Sequence, residues 1–249
     1  MSDPLLSVRN LSKRFGGVVA NDDISFDIAS GELVSIIGPN GAGKSTLFKT
    51  VCGVTPPRSK RGPDSGKVFF RGRDTSGFAA HRMCEAGLAL VFQETEPLKG
   101  MTALENAAIG ALVRTGSFHE ALRLGGQALE RVELGHRADI MVDELTLAER
   151  RRLEIGRALA TEPVLLLLDE AMAGLTPTEV QSAVALVQRI AGDGVTVILI
   201  EHVLQAVMAV SQRIIVLDRG VKIADGTPSD VVADPAVVTA YLGSELSNA

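Results

Sequence analysis

The chain has 249 residues, which is long enough for one large domain or for a domain core with an inserted subdomain. Hydrophobic residues make up 46% of the chain and charged residues 22%, which excludes a wholly disordered or collagen-like protein. The formal net charge of -5 argues against a basic nucleic-acid binder. No apolar run approaches the roughly 18 residues of a membrane span. We expect no signal peptide, and we expect reduced thiols at Cys52 and Cys84, as in a cytosolic protein.

Apolar periodicity and turn residues predict strands and helices along the chain. A half-buried strand runs through Ile24, Phe26 and Ile28, which alternate with polar residues. We then predict, in chain order, a strand at 33–37, a glycine-rich turn at 38–43, a helix at 44–52, a polar loop at 58–66, strands at 68–70 and 88–92, helices at 103–112, 118–132 and 148–160, a strand at 164–168, a helix at 177–191, a strand at 195–200, a helix at 203–211 and a strand at 214–217. This alternation indicates an α/β fold with a mostly parallel sheet, interrupted by a helix-rich block at about 77–161.

The glycine-rich turn matches the phosphate-binding pattern G-x-x-x-x-G-K-[ST]. Its glycines allow backbone N–H groups to converge on phosphate oxygens, and the helix that follows directs its positive end at them. Lys44 would reach the β- and γ-phosphates, and Ser45 would coordinate Mg²⁺. A purely structural glycine turn is the alternative, but an apolar strand before the pattern and a helix after it favour a nucleotide site. The predicted nucleotide-binding residues are Gly38, Pro39, Asn40, Gly41, Ala42, Gly43, Lys44, Ser45 and Thr46.

A nucleotide site of this kind needs a carboxylate for its metal ion. The apolar strand at 164–168 is followed by Asp169 and Glu170. We expect Asp169 to hold Mg²⁺ and Glu170 to activate the attacking water. The alternative is an ordinary acidic pair between a strand and a helix.

Two further polar residues follow predicted strands. Gln93 follows the strand at 88–92, and His202 follows the strand at 195–200. A lone Gln or His at such a place is more often structural. Ligands of α/β sheets, however, lie at the carboxyl ends of strands, so we expect Gln93 and His202 to join the nucleotide site.

The order of these pieces resembles the ATP-binding subunit of ABC transporters over nearly the whole chain. The matching segments are the P-loop at 38–46, the Q-loop Phe92-Gln93-Glu94, a signature region at 145–159, the pair Asp169-Glu170, a D-loop-like Ala173-Gly174-Leu175-Thr176 and the switch histidine His202. Within that family the likeness is greatest to the ATPases of branched-chain amino acid importers. The segments that indicate this subfamily are 14–17, 101–106, 151–155, 173–177, 199–202 and the terminal Ala240-Tyr241-Leu242-Gly243.

The resemblance implies one ABC ATPase domain over residues 1–249. Its expected fold is a P-loop NTPase (RecA-like) core with an N-terminal antiparallel β subdomain and an inserted α-helical subdomain. The core and β subdomain would take residues 1–76 and 162–249. The helical subdomain, which carries the signature, would take residues 77–161.

The resemblance also assigns roles to single residues. Phe15 would stack on adenine, although a core Phe at a strand end is the alternative. Gln93 would sense Mg²⁺, so the metal set is Ser45, Gln93 and Asp169, and the expected cofactors are ATP and Mg²⁺. The catalytic set is Glu170, His202, Lys44 and Gln93. Thr146 and Ala148 of the signature would contact the nucleotide held by a partner.

The partners implied by the family are transmembrane permease subunits and a second ABC ATPase in a head-to-tail dimer. Coupling to a solute-binding protein would be indirect, and no nucleic acid is expected. The subunit would lie at the cytoplasmic face of the inner membrane and energise import of a small polar solute such as a branched-chain amino acid.

The signature departs from the usual Leu-Ser-Gly-Gly-Gln, because residues 145–149 read Leu-Thr-Leu-Ala-Glu. Ala148 adds a methyl group, and Glu149 places an anion near a polyphosphate unless its side chain points away. We therefore hypothesise an asymmetric pair, in which the site that this signature completes on a partner is weakened.

Two other functions stay open from the sequence. One is a regulatory nucleotide-binding subunit that does not hydrolyse ATP, which the altered signature favours and the intact Lys44, Asp169, Glu170 and His202 oppose. The other is a soluble ABC-type ATPase that acts on nucleic acid or ribosomes, which the single cassette and the acidic balance oppose. The basic loop at 58–66 is expected to be a solvated turn, with a lipid or partner contact as the alternative.

Overall fold

The computed structural model describes residues 3–54, 60–93, 97–202 and 204–246 of the chain, with side chains up to residue 241. Its strands and helices are β1 (Leu6–Phe15), β2 (Val18–Ile28), β3 (Leu33–Ile37), α1 (Lys44–Val51), β4 (Ser65–Phe70), β5 (Arg73–Asp74), α2 (Ala80–Ala86), β6 (Leu88–Val91), α3 (Ala103–Ala111), α4 (Phe118–Arg131), α5 (Leu147–Leu159), β7 (Leu165–Asp169), α6 (Pro177–Gly192), β8 (Thr196–Ile200), α7 (Leu204–Val210), β9 (Arg213–Asp218), β10 (Val221–Gly226), α8 (Pro228–Ala233) and α9 (Pro235–Leu246). Short 3₁₀ helices lie at Gly135–Arg137 and Val142–Glu144. Within the described ranges, no helix combines the length and apolar composition that crossing a bilayer requires.

The strands form two sheets, and this confirms the predicted fold class. A four-stranded antiparallel sheet has the order β2-β1-β4-β5, which is the expected N-terminal β subdomain. A six-stranded sheet has the order β10-β9-β3-β8-β7-β6. Its strands β9, β3, β8, β7 and β6 are parallel, and β10 is antiparallel to β9.

The central strands are apolar throughout because both faces of the six-stranded sheet are covered. All five residues of β7 are buried. Leu165 and Leu167 pack with α1 and the antiparallel sheet, whereas Leu166 and Leu168 pack with the helices on the other side. The period of two along a strand therefore divides one apolar run between two hydrophobic clusters.

Among the described helices, four begin with the same capping device. In each, a threonine side chain accepts from the backbone N–H three residues later, and the acidic side chain at that position accepts from the threonine N–H. The four pairs are Thr102 with Glu105 at α3, Thr146 with Glu149 at α5, Thr176 with Glu179 at α6, and Thr227 with Asp230 at α8. The device gives each helix a defined first residue and therefore fixes the loop that precedes it.

Helices α3, α4 and α5 pack into the helix-rich block that the sequence predicts. The boundaries assigned to the helical subdomain stay a prediction. One strand within 77–161, β6, is hydrogen-bonded to β7 and so belongs to the six-stranded sheet.

The sequence did not predict α2, β10, α8 or α9. Each is short or lies near the C-terminus, where the apolar periodicity is weak. A search for capping pairs would have found α8, because Thr227, Pro228 and Asp230 form a helix-start signal.

The expectation of a solvated turn at 58–66 is wrong for part of that loop. The ammonium group of Lys13, only 2% exposed, donates to the carbonyls of Lys60 at 2.7 Å and Gly62 at 2.9 Å. It also pairs with Asp64 at 3.3 Å, and Gly62 and Pro63 are buried. A buried ammonium needs several acceptors, and this loop supplies them. Residues 55–59 lie outside the described residues.

The contact between α3 and α4 yields a stability prediction with a matched control. A Cβ on Gly125 would lie 2.7 Å from the backbone nitrogen of Ala108, whereas a Cβ on Gly126 would come no closer than 3.7 Å to Leu104. We expect Gly125→Ala to lower the free energy of unfolding by about 1–3 kcal/mol, because two helix backbones must separate. Gly126→Ala should leave it unchanged or raise it by up to ~1 kcal/mol, because alanine favours the helix. Urea unfolding of both variants tests this, and equal midpoints would contradict it.

Candidate active site

The turn after β3 has the backbone shape of a phosphate-binding loop. Gly38, Gly41 and Gly43 have φ values of 154°, 80° and 95°. A Cβ on Gly38 would lie 2.0 Å from the carbonyl oxygen of Leu217, and a Cβ on Gly43 would lie 2.2 Å from that of Ala20. Glycine is therefore required at Gly38 and Gly43 both by conformation and by close backbone packing.

Helix α1 begins at the end of this turn and has no side-chain cap among the described residues. Its first N–H groups are consequently available to an anion. The Lys44 ammonium is buried and donates to the carbonyls of Gly38 at 2.8 Å and Pro39 at 3.1 Å. Burial lowers the pKa of Lys44, and the carboxylates of Glu170 and Asp169 oppose that shift. The positive charge of Lys44 is thus held against the phosphate-binding turn by two backbone carbonyls.

A carboxylate and a hydroxyl lie side by side at the end of β7. Asp169 is 2% exposed, and the Ser45 hydroxyl donates to its Oδ1 at 3.2 Å. Burial raises the pKa of Asp169, and the hydrogen bond from Ser45 opposes that shift. Carboxylate and hydroxyl oxygens are ligands that suit Mg²⁺, so this pair fits the ion.

Gln93 and His202, which the sequence predicts at strand ends, both contact the Glu170 carboxylate. Gln93 Nε2 donates to Glu170 Oε2 at 2.5 Å, and His202 Nε2 donates to Glu170 Oε1 at 2.6 Å. The Glu170 backbone has a left-handed φ of 51°, and its N–H donates to the carbonyl of Ile200 at 2.9 Å. The structure therefore brings Gln93, Glu170 and His202 into direct contact. Glu94, the last residue of the predicted Q-loop, lies outside the described residues.

Phe15 ends β1 at the hairpin turn that leads into β2. Its ring is half-buried, with the Lys13 ammonium 5.7 Å from the ring centre. Strand β2 lies against the phosphate-binding turn, because Asn21 Nδ2 donates to the carbonyl of Gly43 at 3.1 Å. The hairpin that carries Phe15 is thus attached to the P-loop, and adenine stacking by Phe15 stays a prediction.

The signature residues Thr146 and Ala148 lie at the start of α5, where their contacts are with their own subunit. The carboxylate of Glu149 accepts from the Thr146 N–H at 2.9 Å and pairs with Arg137 at 3.0 Å. The Thr146 hydroxyl accepts from the Glu149 N–H at 3.3 Å and also hydrogen-bonds the Glu149 carboxylate. Glu149 is therefore turned back onto the start of its own helix, so its negative charge lies at the positive end of α5.

Sequence reasoning missed Arg151 as a site residue. Its guanidinium donates to the carbonyl of Gln93 at 2.9 Å and pairs with Glu154 at 3.2 Å. The helix that carries the signature thus holds the backbone of the Q-loop. No spacing signal in the sequence indicates this contact, because it joins residues 58 positions apart.

Two residues near the C-terminal side of the site were also missed. Glu201 is 3% exposed, and its Oε1 accepts from the Met172 N–H at 2.8 Å. The Gly38 backbone N–H donates to the hydroxyl of Tyr241 on α9, and burial raises the pKa of Tyr241 to about 12. Tyr241 belongs to a segment that the sequence linked only to a subfamily, not to the site.

A groove of about 370 Å³ opens between β6 and the helical block. Phe92, which precedes Gln93, lies on its wall together with Ile109 of α3 and Met83 of α2. Cys84 and the buried Cys52 also line it, as free thiols. Whatever occupies this groove touches the residue next to Gln93.

A family model described as "ABC transporter" matches residues 21–173, which span the P-loop and the Asp169-Glu170 pair. The chain belongs to the ABC transporter family. A second model, described as "Branched-chain amino acid ATP-binding cassette transporter", matches residues 221–246, from β10 to the end of α9. Membership makes this chain an ATP-binding, ATP-hydrolysing subunit of an ABC transporter.

Similar proteins cover almost the full length of this subunit. The high-affinity branched-chain amino acid transport ATP-binding protein BraF of Pseudomonas aeruginosa is 36% identical, over 98% of this chain and 99% of its own. The lipopolysaccharide export system ATP-binding protein LptB of Escherichia coli K12 is 31% identical, over 96% of this chain and 98% of its own. The ADP conformation of MJ1267, an ATP-binding cassette of an ABC transporter, superposes with a TM-score of 0.86 at 31% identity, over 97% of this chain and all of that one.

Proposed function

We propose that this subunit hydrolyses ATP to energise import of a small polar solute, with branched-chain or related amino acids as the preferred class. The observation that carries the proposal is the match of residues 221–246 to the branched-chain amino acid cassette model. The contacts of Ser45 with Asp169 and of His202 with Glu170, beside the buried Lys44, support active hydrolysis rather than a purely regulatory subunit.

In this proposal the phosphate-binding turn and α1 hold the triphosphate, and Lys44 neutralises its β- and γ-phosphates. Ser45, Asp169 and Gln93 hold Mg²⁺, which when bound would offset phosphate charge. Phe15 stacks on adenine. The buried position of Asp169 supports this role, because a carboxylate that is shielded from water is stabilised by a bound cation.

Glu170 acts as the general base in this proposal. Its two carboxylate oxygens are held by Gln93 and His202, so the group is oriented before water arrives. Its side chain is 13% exposed, so the carboxylate is accessible from solvent.

We expect Glu170→Gln to reduce ATP turnover at this chain's own P-loop at least about a hundredfold, measured on the purified chain without a second ATPase, because an amide cannot take the proton from water. The dissociation constant for ATP should stay within about threefold of wild type, since the phosphate-binding turn is untouched. Steady-state phosphate release and equilibrium binding of ATP measure the two effects. Glu120→Gln, an exposed glutamate of α4, is the control. A Glu170→Gln variant that turns over at the wild-type rate would refute the assignment.

A second cassette completes the site in the proposal. Thr146 and Ala148, at the start of α5, would contact the nucleotide of a partner arranged head to tail, the role that the family's signature implies. A carboxylate at the third position of α5 neutralises the positive end of that helix, which weakens its attraction for a γ-phosphate. This supports an asymmetric pair, in which the partner is a paralogue with a more usual signature.

We expect Glu149→Gln to raise hydrolysis at the partner's P-loop several-fold. Glutamine keeps the capping contact with Thr146 and removes the negative charge from the helix start. Restoring the full Leu-Ser-Gly-Gly-Gln motif at 145–149 should raise hydrolysis further. The measurement uses a Glu170→Gln background, in which only the partner's site can turn over.

The control for that experiment is Glu144→Gln, which removes the same charge from an exposed glutamate just before the signature. No increase from either signature change, relative to the control, would sink the asymmetric pair. Complete loss of turnover in the Glu170→Gln background would indicate a dimer of two copies of this chain.

The groove beside Phe92 is the proposed docking site for the permeases. A permease element seated there touches the residue next to Gln93, and Gln93 contacts Glu170. Movement in the groove is therefore communicated to the catalytic carboxylate through one residue. We place the subunit at the cytoplasmic face of the inner membrane, with a solute-binding protein coupled indirectly through the permeases.

The proposal is tested by gentle affinity purification of this chain from native membranes, with mass identification of the proteins that come with it. We expect two multi-span permeases and a second ATPase. Ile109→Glu, in the groove, should lose the permeases, whereas Leu112→Glu, exposed at the end of α3 outside the lining residues, should retain them. Recovery of the chain alone, or with ribosomes or DNA, would overturn the transport function and favour a soluble ATPase.

A further inference from the structure

Glu201 stands immediately before His202 and directly behind Glu170. It is one of the few buried carboxylates among the described residues, at 3% exposure. A carboxylate at such a place is costly unless it is paired or hydrogen-bonded. Its contacts therefore indicate what it does for the site.

The carboxylate joins two loops that carry catalytic side chains. Its Oε1 accepts from the N–H of Met172 at 2.8 Å, and the carboxylate also accepts from the backbone N–H of His202. Met172 lies two residues after Glu170, at the turn in which the Ala173 N–H donates to the Glu170 carbonyl at 3.1 Å. One buried side chain thus fixes the loop after β7 against the loop after β8.

Among the described residues, backbone hydrogen bonds join these loops at their roots. Asp169 pairs with Ile200 in the sheet, and the Glu170 N–H donates to the Ile200 carbonyl. Beyond these residues, the hydrogen bond from the Met172 N–H to Glu201 joins the two loops. It holds Glu170 and His202 at the separation at which His202 Nε2 lies 2.6 Å from Glu170 Oε1.

We propose that Glu201 is a positioning residue for ATP hydrolysis, which locks the loop of the general base to the histidine loop through the Met172 N–H. The inference rests on the proposed role of Glu170. Glu201 itself touches neither nucleotide nor water in this account. It acts by limiting the positions that Glu170 and His202 can adopt relative to each other.

The test compares three variants at Glu201. Glu201→Leu keeps the volume and removes the acceptor, and we expect kcat to fall at least about tenfold while the ATP dissociation constant stays within threefold of wild type. Glu201→Gln keeps an amide oxygen for the Met172 N–H and should recover kcat to within about threefold of wild type. The double variant Glu201→Leu/His202→Ala should be no slower than His202→Ala alone, because the lost orientation is then irrelevant.

These outcomes separate the inference from the proposed function. Turnover by Glu170→Gln at the wild-type rate would remove the general base and with it the proposed function. An inactive Glu170→Gln together with an active Glu201→Leu would overturn only the positioning role. Equal losses of kcat in the Leu and Gln variants, or additive losses in the double variant, would also overturn it.

A second measurement needs no variant and is independent of whether Glu201→Leu folds. The Met172 amide lies in a loop, yet its hydrogen bond to a buried carboxylate should slow its hydrogen exchange to the rate of amides within β8. Exchange of Met172 as fast as that of the exposed Gly174 amide, in the wild-type chain, would overturn the proposal.

Discussion

Parallel pairing of four strands at one edge of the sheet is the constraint on which the candidate site depends. Strands β6, β7, β8 and β3 run in the same direction, so the residues after each strand emerge side by side. That edge collects the phosphate-binding turn, the Asp169-Glu170 pair, Glu201-His202 and Gln93. These four segments lie far apart in the sequence, and a change in strand register would separate them.

The same edge concentrates charge in a place with little water. Asp169, Lys44 and Glu201 are all buried there. Burial raises the pKa of Asp169 and that of Glu201, the latter to about 7, and lowers the pKa of Lys44, so it favours the neutral form of each group. Hydrogen bonds to Asp169 and Glu201, and the attraction between Lys44 and Asp169, oppose these shifts in place of solvent. An edge of this kind favours a ligand that brings both negative charge and a cation, which describes a nucleotide with its metal ion.

Contacts within the subunit hold the side chains of the candidate site in place before a ligand or partner arrives. Lys44 rests on carbonyls of its own turn, Glu170 is shared between Gln93 and His202, and Glu149 caps its own helix. Arg151 extends this network from the signature helix to the Q-loop. Under the proposed function, ATP and a second cassette would replace some of these contacts, and the energy of binding could then be used to move the loops.

The sequence by itself determined the fold class, the phosphate-binding turn, the acidic pair and the expectation that Gln93 and His202 lie at strand ends. These follow from local signals: apolar periods of two and 3.6, glycines with a lysine at fixed spacing, and polar residues after apolar runs. Tertiary structure alone decided that Glu149 folds back onto Thr146, that Lys13 anchors residues 60–64, and that Glu201, Arg151 and Tyr241 support the site. In each case a side chain contacts a backbone group or a charge that local sequence patterns do not indicate. Such contacts form only once the sheets and helices have packed.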